Sequence, residues 1–273
     1  MNKNLSVLLK GFAVGAGMSV PGVSGGTMAM ILGVYEKLVA SVSRVFKEPR
    51  ERLPFLAVFA LGGAVGVLTA AGVISALLYT AAGIPLRYAF LGAVAGGIPL
   101  IFRRAKLKQL TLKSTALILA GAAAVVIIGL IPEGLFRVGN GGAAYILIQL
   151  AGGLLVAAAL VLPGISASHI MYVLGIYESA AGSLSEGRFL ALLPLAAGVI
   201  VGTFLSARVL ERLFSRHEQG CCLVIFGFMA ASLTELVPSG ADLFQTLLGV
   251  VCACGSFLAV RLLCRKEEQM QTD

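Results

Sequence analysis

The chain has 273 residues, of which 58% are hydrophobic and only 12% are Asp, Glu, Lys or Arg. An ordinary soluble domain carries roughly 25% charged residues, so the composition excludes a soluble fold and predicts an all-α polytopic membrane protein with one integral membrane domain. The net charge of +8 comes from short basic clusters between apolar runs. This distribution indicates contact with lipid headgroups at the bilayer surface and no nucleic-acid partner.

Six apolar runs are long enough to predict transmembrane helices. They cover residues 54–79, 88–102, 112–131, 189–210, 221–237 and 243–264. Two further apolar stretches, residues 5–42 and 143–180, are equal in length, and each is interrupted near its middle by Pro-Gly. Each stretch is either one bent crossing or a re-entrant helical hairpin that returns to the side from which it entered.

Basic residues distinguish these two topologies, because cytoplasmic loops carry an excess of Lys and Arg. If both stretches are hairpins, 15 basic residues fall on the cytoplasmic side and 3 fall outside. The cytoplasmic set is Lys3, Arg44, Lys47, Arg50, Arg52, Arg103, Arg104, Lys106, Lys108, Lys113, Arg212, Arg216, Arg261, Arg265 and Lys266, and the outer set is Arg87, Arg137 and Arg188. The partition predicts six crossings, two hairpins that do not cross, and both termini in the cytoplasm.

The two hairpins then enter from opposite faces, which predicts an inverted internal repeat. When Pro21 is aligned with Pro163, 7 of the 16 positions from 21 to 36 are identical in the second hairpin. The Gly62-x-x-x-Gly66 spacing, which lets helices pack closely in lipid, recurs as Gly198-x-x-x-Gly202. Inverted repeats with interrupted helices are typical of transporters, whose site lies at the repeat interface.

These boundaries divide the membrane domain into two halves of equal design. Repeat 1 covers residues 1–135 with its re-entrant hairpin at 5–42, and repeat 2 covers residues 136–273 with its hairpin at 143–180. Each half contains the hairpin plus three transmembrane helices. Because three is an odd number of crossings, the second half is inverted relative to the first.

The hairpin tips are the candidate ligand site, because backbone groups inside a bilayer must be satisfied by protein or by a wet cavity. Helix N-termini, glycines and hydroxyls form a cradle suited to a phosphate or carboxylate. The alternative is that these small residues only permit tight packing. The predicted phosphate-binding residues are Pro21, Gly22, Val23, Ser24, Gly25, Gly26 and Thr27 in the first tip and Pro163, Gly164, Ser166, Ser168 and His169 in the second.

Three ionisable residues within the apolar stretches are candidates for gating or coupling. Lys10 and Glu36 lie at similar depths on the two arms of the first hairpin, so they can pair near its mouth. Glu178 repeats the position of Glu36 relative to the tip glycine, without a counterpart of Lys10. The alternative is that both glutamates are interfacial anchors that follow a tyrosine.

The sequence predicts no cofactor and no metal site, since it has no H-E-x-x-H motif and its five cysteines are typical of small buried hydrophobes. It also has no Walker A motif, so energy for transport has to come from a gradient or from mass action, and coupling to protons or sodium ions stays open. The sequence makes no prediction of oligomeric state.

An intramembrane serine protease is the alternative from another functional class. Gly22-Val23-Ser24-Gly25 matches the G-x-S-G of rhomboid-type proteases, with His169 or His217 as the candidate base. Against this interpretation, Ser24 recurs as Ser166, which a single nucleophile does not explain. Asp242 and Asp273 are the only aspartates, which excludes an intramembrane aspartyl protease. We therefore expect that the protein is not an enzyme.

Ser19-Val20-Pro21-Gly22-Val23-Ser24-Gly25-Gly26-Thr27-Met28-Ala29, followed by Ile31-Leu32-Gly33-Val34-Tyr35-Glu36, resembles the N-terminal signature of the bacterial polyprenyl-phosphate transporters. The resemblance covers essentially the whole chain. It implies a flippase that returns undecaprenyl phosphate, an isoprenoid lipid, across the bacterial cytoplasmic (inner) membrane for reuse in cell-envelope synthesis. The second tip departs from the first, with Ala167-Ser168-His169 in place of Gly25-Gly26-Thr27.

The mechanism expected from the repeat and the tips is alternating access, with the phosphate held between the two tips while the tail stays in lipid. An ion-coupled symporter of small anions is the alternative transporter. A lateral opening of the site to the bilayer would favour the lipid, whereas a closed vestibule would favour the soluble anion.

Overall fold

The computed structural model describes residues 3–20, 22–105, 109, 111–134, 142–238 and 240–272. This part of the chain consists of helices joined by turns and contains no β-strand. In chain order the helices are α1 (Lys3–Met18), α2 (Gly25–Ile31), α3 (Tyr35–Arg44), α4 (Pro49–Leu78), α5 (Gly83–Arg104), α6 (Leu112–Gly129), α7 (Gly142–Val161), α8 (Ala167–Val173), α9 (Tyr177–Ser185), α10 (Leu193–Leu236) and α11 (Leu243–Thr272), with a 3-10 turn at Phe189–Leu192.

Six helices in the described part of the chain are long and apolar enough to cross a membrane, namely α4, α5, α6, α7, α10 and α11. The chain is therefore a multi-pass membrane protein. α7 belongs to this set by length and composition, although the sequence pattern predicts it to be an arm of the second hairpin. Its neighbour α8 has only 7 residues and is too short to cross.

A single helix, α10, contains most of two predicted crossings, residues 189–210 and 221–237. The first of these begins in the 3-10 turn just before α10. Its 44 residues would extend about 66 Å if straight, twice the roughly 30 Å of a bilayer core. The helix is interrupted at His217, whose φ of −139° and ψ of 48° are not helical. The segments before and after His217 pack against different helices, since Gly202 faces α7 and Gly227 faces α6. The interruption therefore divides α10 into two packing units.

The segment α1–α2–α3, which we name the first unit, has the same backbone design as α7–α8–α9, the second unit. Gly22 and Gly164 both have φ of +84°, and Gly33 and Gly175 both have φ of +66°. Glycine adopts this left-handed conformation without the strain that a Cβ would cause. The sequence repeat that aligns Pro21 with Pro163 is thus also a repeat of the backbone turns.

Glycines at the predicted small-residue positions bring the helices of each half together. A Cβ on Gly66 of α4 would lie 2.9 Å from the backbone nitrogen of Ala16 in α1. A Cβ on Gly202 of α10 would lie 2.8 Å from the Cα of Leu154 in α7. Only a residue without a side chain permits this approach, so α1 packs on α4 as α7 packs on α10.

Candidate functional site

The segments that follow Gly22 and surround Gly164 contact each other. We name residues 19–27 the first tip and residues 161–169 the second tip. The backbone N–H of Gly164 donates a hydrogen bond of 2.9 Å to Thr27 Oγ1, and Ser24 Oγ donates one of 3.3 Å to the carbonyl oxygen of Leu162. Thr27 is 1% exposed, so this contact is shielded from solvent. The two tips therefore contact each other directly.

Two further contacts close the junction between the tips. A Cβ on Gly26 would lie only 3.0 Å from the backbone nitrogen of Pro163. The hydroxyl of Tyr35, at the start of α3, donates a hydrogen bond of 2.8 Å to the carbonyl oxygen of Val161 at the end of α7. The Tyr35 ring is buried and packs edge-on against Phe214, with centroids 6.2 Å apart.

A cavity of about 590 Å³ borders the joined tips, and we name it the tip cavity. The first tip contributes Ser24 and Gly25 to its wall, and the second contributes Ser166 and Ser168. The remaining wall is mainly apolar, with Met18, Val67, Ala71, Ala159 and Leu160 among its residues. No charged side chain lines the cavity within the described residues. Its polar groups are therefore hydroxyls and backbone groups.

Five of the twelve predicted phosphate-binding residues line the tip cavity: Val23, Ser24, Gly25, Ser166 and Ser168. Six others pack elsewhere around the junction: Gly22, Gly26, Thr27, Pro163, Gly164 and His169. Pro21 lies outside the described residues. Gly26 and Thr27 do not reach the cavity because they form the contact between the tips. The sequence predicted a glycine cradle that faces the ligand, and in the structure Gly26 faces the other tip.

His169 differs from Thr27, whose position it occupies in the second tip. Its Nε2 lies 3.0 Å from the carbonyl oxygen of Ile128, so the ring contacts the end of α6. Its backbone N–H donates to Ser166 Oγ at 3.4 Å, so Ser166 caps α8. The two tips are therefore alike in backbone but not in the contacts of this side chain.

None of the three predicted gating residues lines the tip cavity. Lys10 Nζ donates a hydrogen bond of 2.8 Å to the carbonyl oxygen of Leu32 at the C-terminal end of α2. A cation interacts favourably with this negative end of the helix dipole. Glu36 lies in the first turn of α3, and Glu178 lies in the first turn of α9. A carboxylate in the first turn interacts favourably with the positive end of the helix dipole. This position is consistent with either a gate or an anchor.

Glu36 also lines a second, smaller cavity of about 240 Å³ between α3 and α10, which we name the α3–α10 cavity. Tyr35 and Ala40 lie in the same wall, and Glu211 and Glu218 line it from α10. The carboxylate of Glu211 forms an ion pair with Arg44 at the end of α3. This cavity is acidic, whereas the tip cavity is uncharged among its described residues.

Aromatic residues form a part of the site that was not predicted from the sequence. Tyr172 and Tyr177 stack with ring centroids 4.1 Å apart, and both line the tip cavity. Tyr177 repeats the position of Tyr35, so the duplicated Tyr-Glu pair was the available signal. The sequence pattern predicts gating glutamates in this pair and gives the tyrosines only a role as interfacial anchors.

Comparison with known proteins gives a consistent result. A family model described as undecaprenyl phosphate translocase-like matches residues 14–247. A polyprenyl-phosphate transporter of Staphylococcus aureus (strain NCTC 8325 / PS 47) is 31% identical over 244 residues, which are 85% of this chain and 85% of that protein. A polyprenyl-phosphate transporter of Vibrio cholerae serotype O1 is 28% identical over 252 residues, 86% of this chain and 78% of that protein. No solved structure matches the chain with significance.

Proposed function

We propose that this chain, which belongs to the undecaprenyl phosphate translocase-like family, is a polyprenyl-phosphate transporter of the bacterial cytoplasmic membrane. The names of the two relatives support a transporter and favour a protein without enzymatic activity. The observation that carries the proposal is the tip cavity, which both repeat units line.

The composition of the tip cavity matches an amphiphile with a phosphate headgroup. Hydroxyls of Ser24, Ser166 and Ser168 lie at the tips, and the apolar side chains of Val67 and Leu160 lie elsewhere in the wall. A volume of about 590 Å³ lies within the roughly 300–1,000 Å³ of small-ligand sites. It can hold a headgroup with the first isoprene units, while the rest of the tail stays in lipid.

The surface around the tip cavity favours a lipid over a soluble anion. Met18, Val67 and Tyr172 line the cavity and still expose 39%, 39% and 36% of their surface. Leu68, next to Val67 on α4, is 81% exposed, as expected for a side chain in contact with lipid tails. The exposed surface in and beside the cavity wall is thus largely apolar. We infer a lateral entrance for the tail, which a small-anion symporter would not need.

In this proposal the phosphate binds to the hydroxyls of the second tip and to backbone N–H groups of both tips. Ser166 and Ser168 Oγ lie 2.9 Å apart, and one hydroxyl of such a pair can turn its proton toward a phosphate oxygen. Backbone N–H groups in the first turns of α2 and α8 have no partner within their helices, and those that no side chain caps can serve as further donors. These helices have only 7 residues each, so their macrodipoles are small. Their main contribution is therefore the hydrogen-bond donors. The predicted binding residues that pack around the junction keep the two sets of donors together.

The proposed mechanism is alternating access by an inverted repeat. The two units enter from opposite membrane faces as re-entrant hairpins, and both termini are cytoplasmic, as the 15 to 3 partition of basic residues favours. Rocking of the halves exposes the tips to each face in turn. Glu36 and Glu178 bias this equilibrium near the two faces, and the energy comes from an ion gradient or from mass action.

The proposal is tested by translocation of a fluorescent short-chain polyprenyl phosphate in proteoliposomes, read by a reductant that reaches only the outer leaflet. The double variant Ser166→Ala/Ser168→Ala loses a hydrogen bond to a charged group, about 1.5–3 kcal/mol, so we expect translocation to fall about 10- to 150-fold. Ser185→Ala is the matched control, because its hydroxyl bonds to the carbonyl of Gly182 on an exposed surface.

Competition assays separate the lipid from a soluble anion. We expect unlabelled farnesyl phosphate to compete with the fluorescent lipid, and both inorganic phosphate and farnesol to fail. Uptake of radiolabelled inorganic phosphate by the wild-type protein would instead support the symporter. A wild-type rate equal to that of protein-free liposomes would contradict the proposed function.

A further inference from the structure

One side of the tip junction is closed by a hydrogen bond whose repeat counterpart lies open. Tyr35 in the first unit donates to the carbonyl of Val161 in the second unit. The repeat alignment places Tyr177 at the position of Tyr35, and Ser19 at the position of Val161. Tyr177 and Ser19 both line the tip cavity, and the Tyr177 ring stacks on Tyr172. The two residues that would make the equivalent bond therefore flank the open space.

A second bond across the junction follows the same rule. Ser24 Oγ donates to the carbonyl of Leu162. Their counterparts are Ser166 and Val20, and both of these also line the tip cavity. For two of the bonds that join the tips, the repeat alignment thus identifies an equivalent pair of residues that is not bonded in this way. All four of these residues, Tyr177, Ser19, Ser166 and Val20, line the tip cavity.

We propose that Tyr35 and Tyr177 are alternating gate residues, an inference that rests on the alternating access proposed above. In the state that the structure shows, the Tyr35 hydroxyl closes the junction on the side of the α3–α10 cavity. In the second state, Tyr177 leaves its stack with Tyr172 and donates to the carbonyl of Ser19, which closes the tip cavity. The Tyr35 bond to Val161 opens in exchange.

The exchange is physically reasonable because the two states use the same backbone geometry. The turns at Gly22 and Gly164 have the same φ, as do those at Gly33 and Gly175. Each state then has one tyrosine hydroxyl bonded to a carbonyl of the other unit, so the number of such bonds does not change. States that differ by only a few kcal/mol are what a ligand needs to shift a population.

Two reporter cysteines measure the two cavities separately. Ala71→Cys reports on the tip cavity, and Ala40→Cys reports on the α3–α10 cavity. Each is labelled with a small maleimide in nanodiscs without substrate, and the label at that position is quantified by mass spectrometry. Peptide-level detection separates the reporter from the five native cysteines.

We expect Tyr35→Phe to decrease the labelling rate at position 71 and to increase it at position 40. The change in the equilibrium should be about fivefold, as for the loss of one hydrogen bond between uncharged groups. Tyr177→Phe should act in the opposite direction, and the double variant should return both rates close to those of wild type. A merely structural tyrosine would not give this compensation.

Tyr145→Phe is the matched control, since its hydroxyl bonds to Ser179 Oγ at 2.7 Å away from the tips and should leave both rates unchanged. Unchanged rates in Tyr35→Phe, or single variants that both raise labelling at both reporters, would overturn the gate. Lipid translocation assayed on the same proteins keeps this outcome distinct from the proposed function. Translocation without reciprocal labelling rejects the gate alone, and reciprocal labelling without wild-type translocation rejects the proposed function alone.

Discussion

Replacing Gly26 by alanine tests the direct contact between the two tips. The new Cβ would lie 3.0 Å from the nitrogen and 3.1 Å from the Cα of Pro163, and 3.2 Å from the carbonyl carbon of Leu162. All three atoms are backbone, so no side chain can rotate to make room. Favourable carbon contacts need about 3.5–4.0 Å, so the tips must separate by roughly 0.5 Å.

This separation weakens the hydrogen bonds that cross the junction. The bond from Ser24 to Leu162 is 3.3 Å long and would exceed the usual range, while the bond from Gly164 to Thr27 would stretch from 2.9 Å. Overpacking costs about 1–3 kcal/mol and a lost hydrogen bond about 1 kcal/mol. The gain of helix stability on replacing glycine offsets up to about 1 kcal/mol. We expect Gly26→Ala to lower the free energy of unfolding by about 1–3 kcal/mol.

The assay is thermal unfolding in nanodiscs together with lipid translocation. Gly72→Ala is the matched control, because no atom lies within 4 Å of its added Cβ, and it should be as stable as wild type or slightly more stable. Gly25→Ala should also cost less than Gly26→Ala, since its Cβ would meet the flexible end of Met18. If the Gly26→Ala protein had the same unfolding temperature and the same translocation rate as wild type, this result would refute the contact between the tips.

The remaining predictions concern the charged residues and the topology. Lys10→Met removes a charged hydrogen bond to the carbonyl at the end of α2 and should lower stability by about 1–2 kcal/mol, so an unchanged melting temperature would contradict that role. Glu36→Gln and Glu178→Gln should keep lipid binding but slow translocation or change its pH dependence; unchanged rates across pH in both would leave only anchors. Cysteines that replace Glu48 and Ser185 should be labelled from opposite membrane sides, and labelling from one side would reject the inverted repeat.

The interruptions at Gly22 and Gly164 could be predicted from the sequence because each shows as a Pro-Gly pair, whereas the arms after them were predicted as continuous helices and instead turn at Gly33 and Gly175. A backbone with φ of +84° or +66° needs glycine, and Gly22, Gly33, Gly164 and Gly175 occupy these four turns. The glycines at the helix interfaces could also be predicted, because the Gly-x-x-x-Gly spacing can be recognised in the sequence alone. Local steric rules operate on neighbours in the chain, so one sequence is enough to recognise them.

The course of α10 was harder to predict. The polar run between residues 210 and 221 suggested a loop between two crossings, but its Arg, Glu and Gln side chains are good helix formers. The helix therefore continues through the run and is interrupted only at His217. Polarity indicates where a segment leaves the membrane and does not by itself end a helix.

The contacts across the tip junction could not be predicted from residue types. Tyr35 and Val161 are 126 positions apart, and their bond depends on how the two units are placed relative to each other. The same placement hides Thr27 and Gly26 between the tips and leaves Ser24 and Ser166 in the cavity. Sequence patterns identified segments that border the tip cavity, and the packing of the units determines which of their residues line it.

The difference between the two tips gives the proposed gate a preferred state. Thr27 accepts the bond from Gly164 and helps to close one side. On the other side the counterparts are His169 and Gly22, and His169 is held by the carbonyl of Ile128. Closing the tip cavity would therefore require His169 to leave that carbonyl before it could replace Thr27. The state with an open tip cavity thus keeps the bond between Gly164 and Thr27, whereas the exchanged state must first break the contact between His169 and Ile128. We therefore expect the transporter without substrate to rest with the tip cavity open.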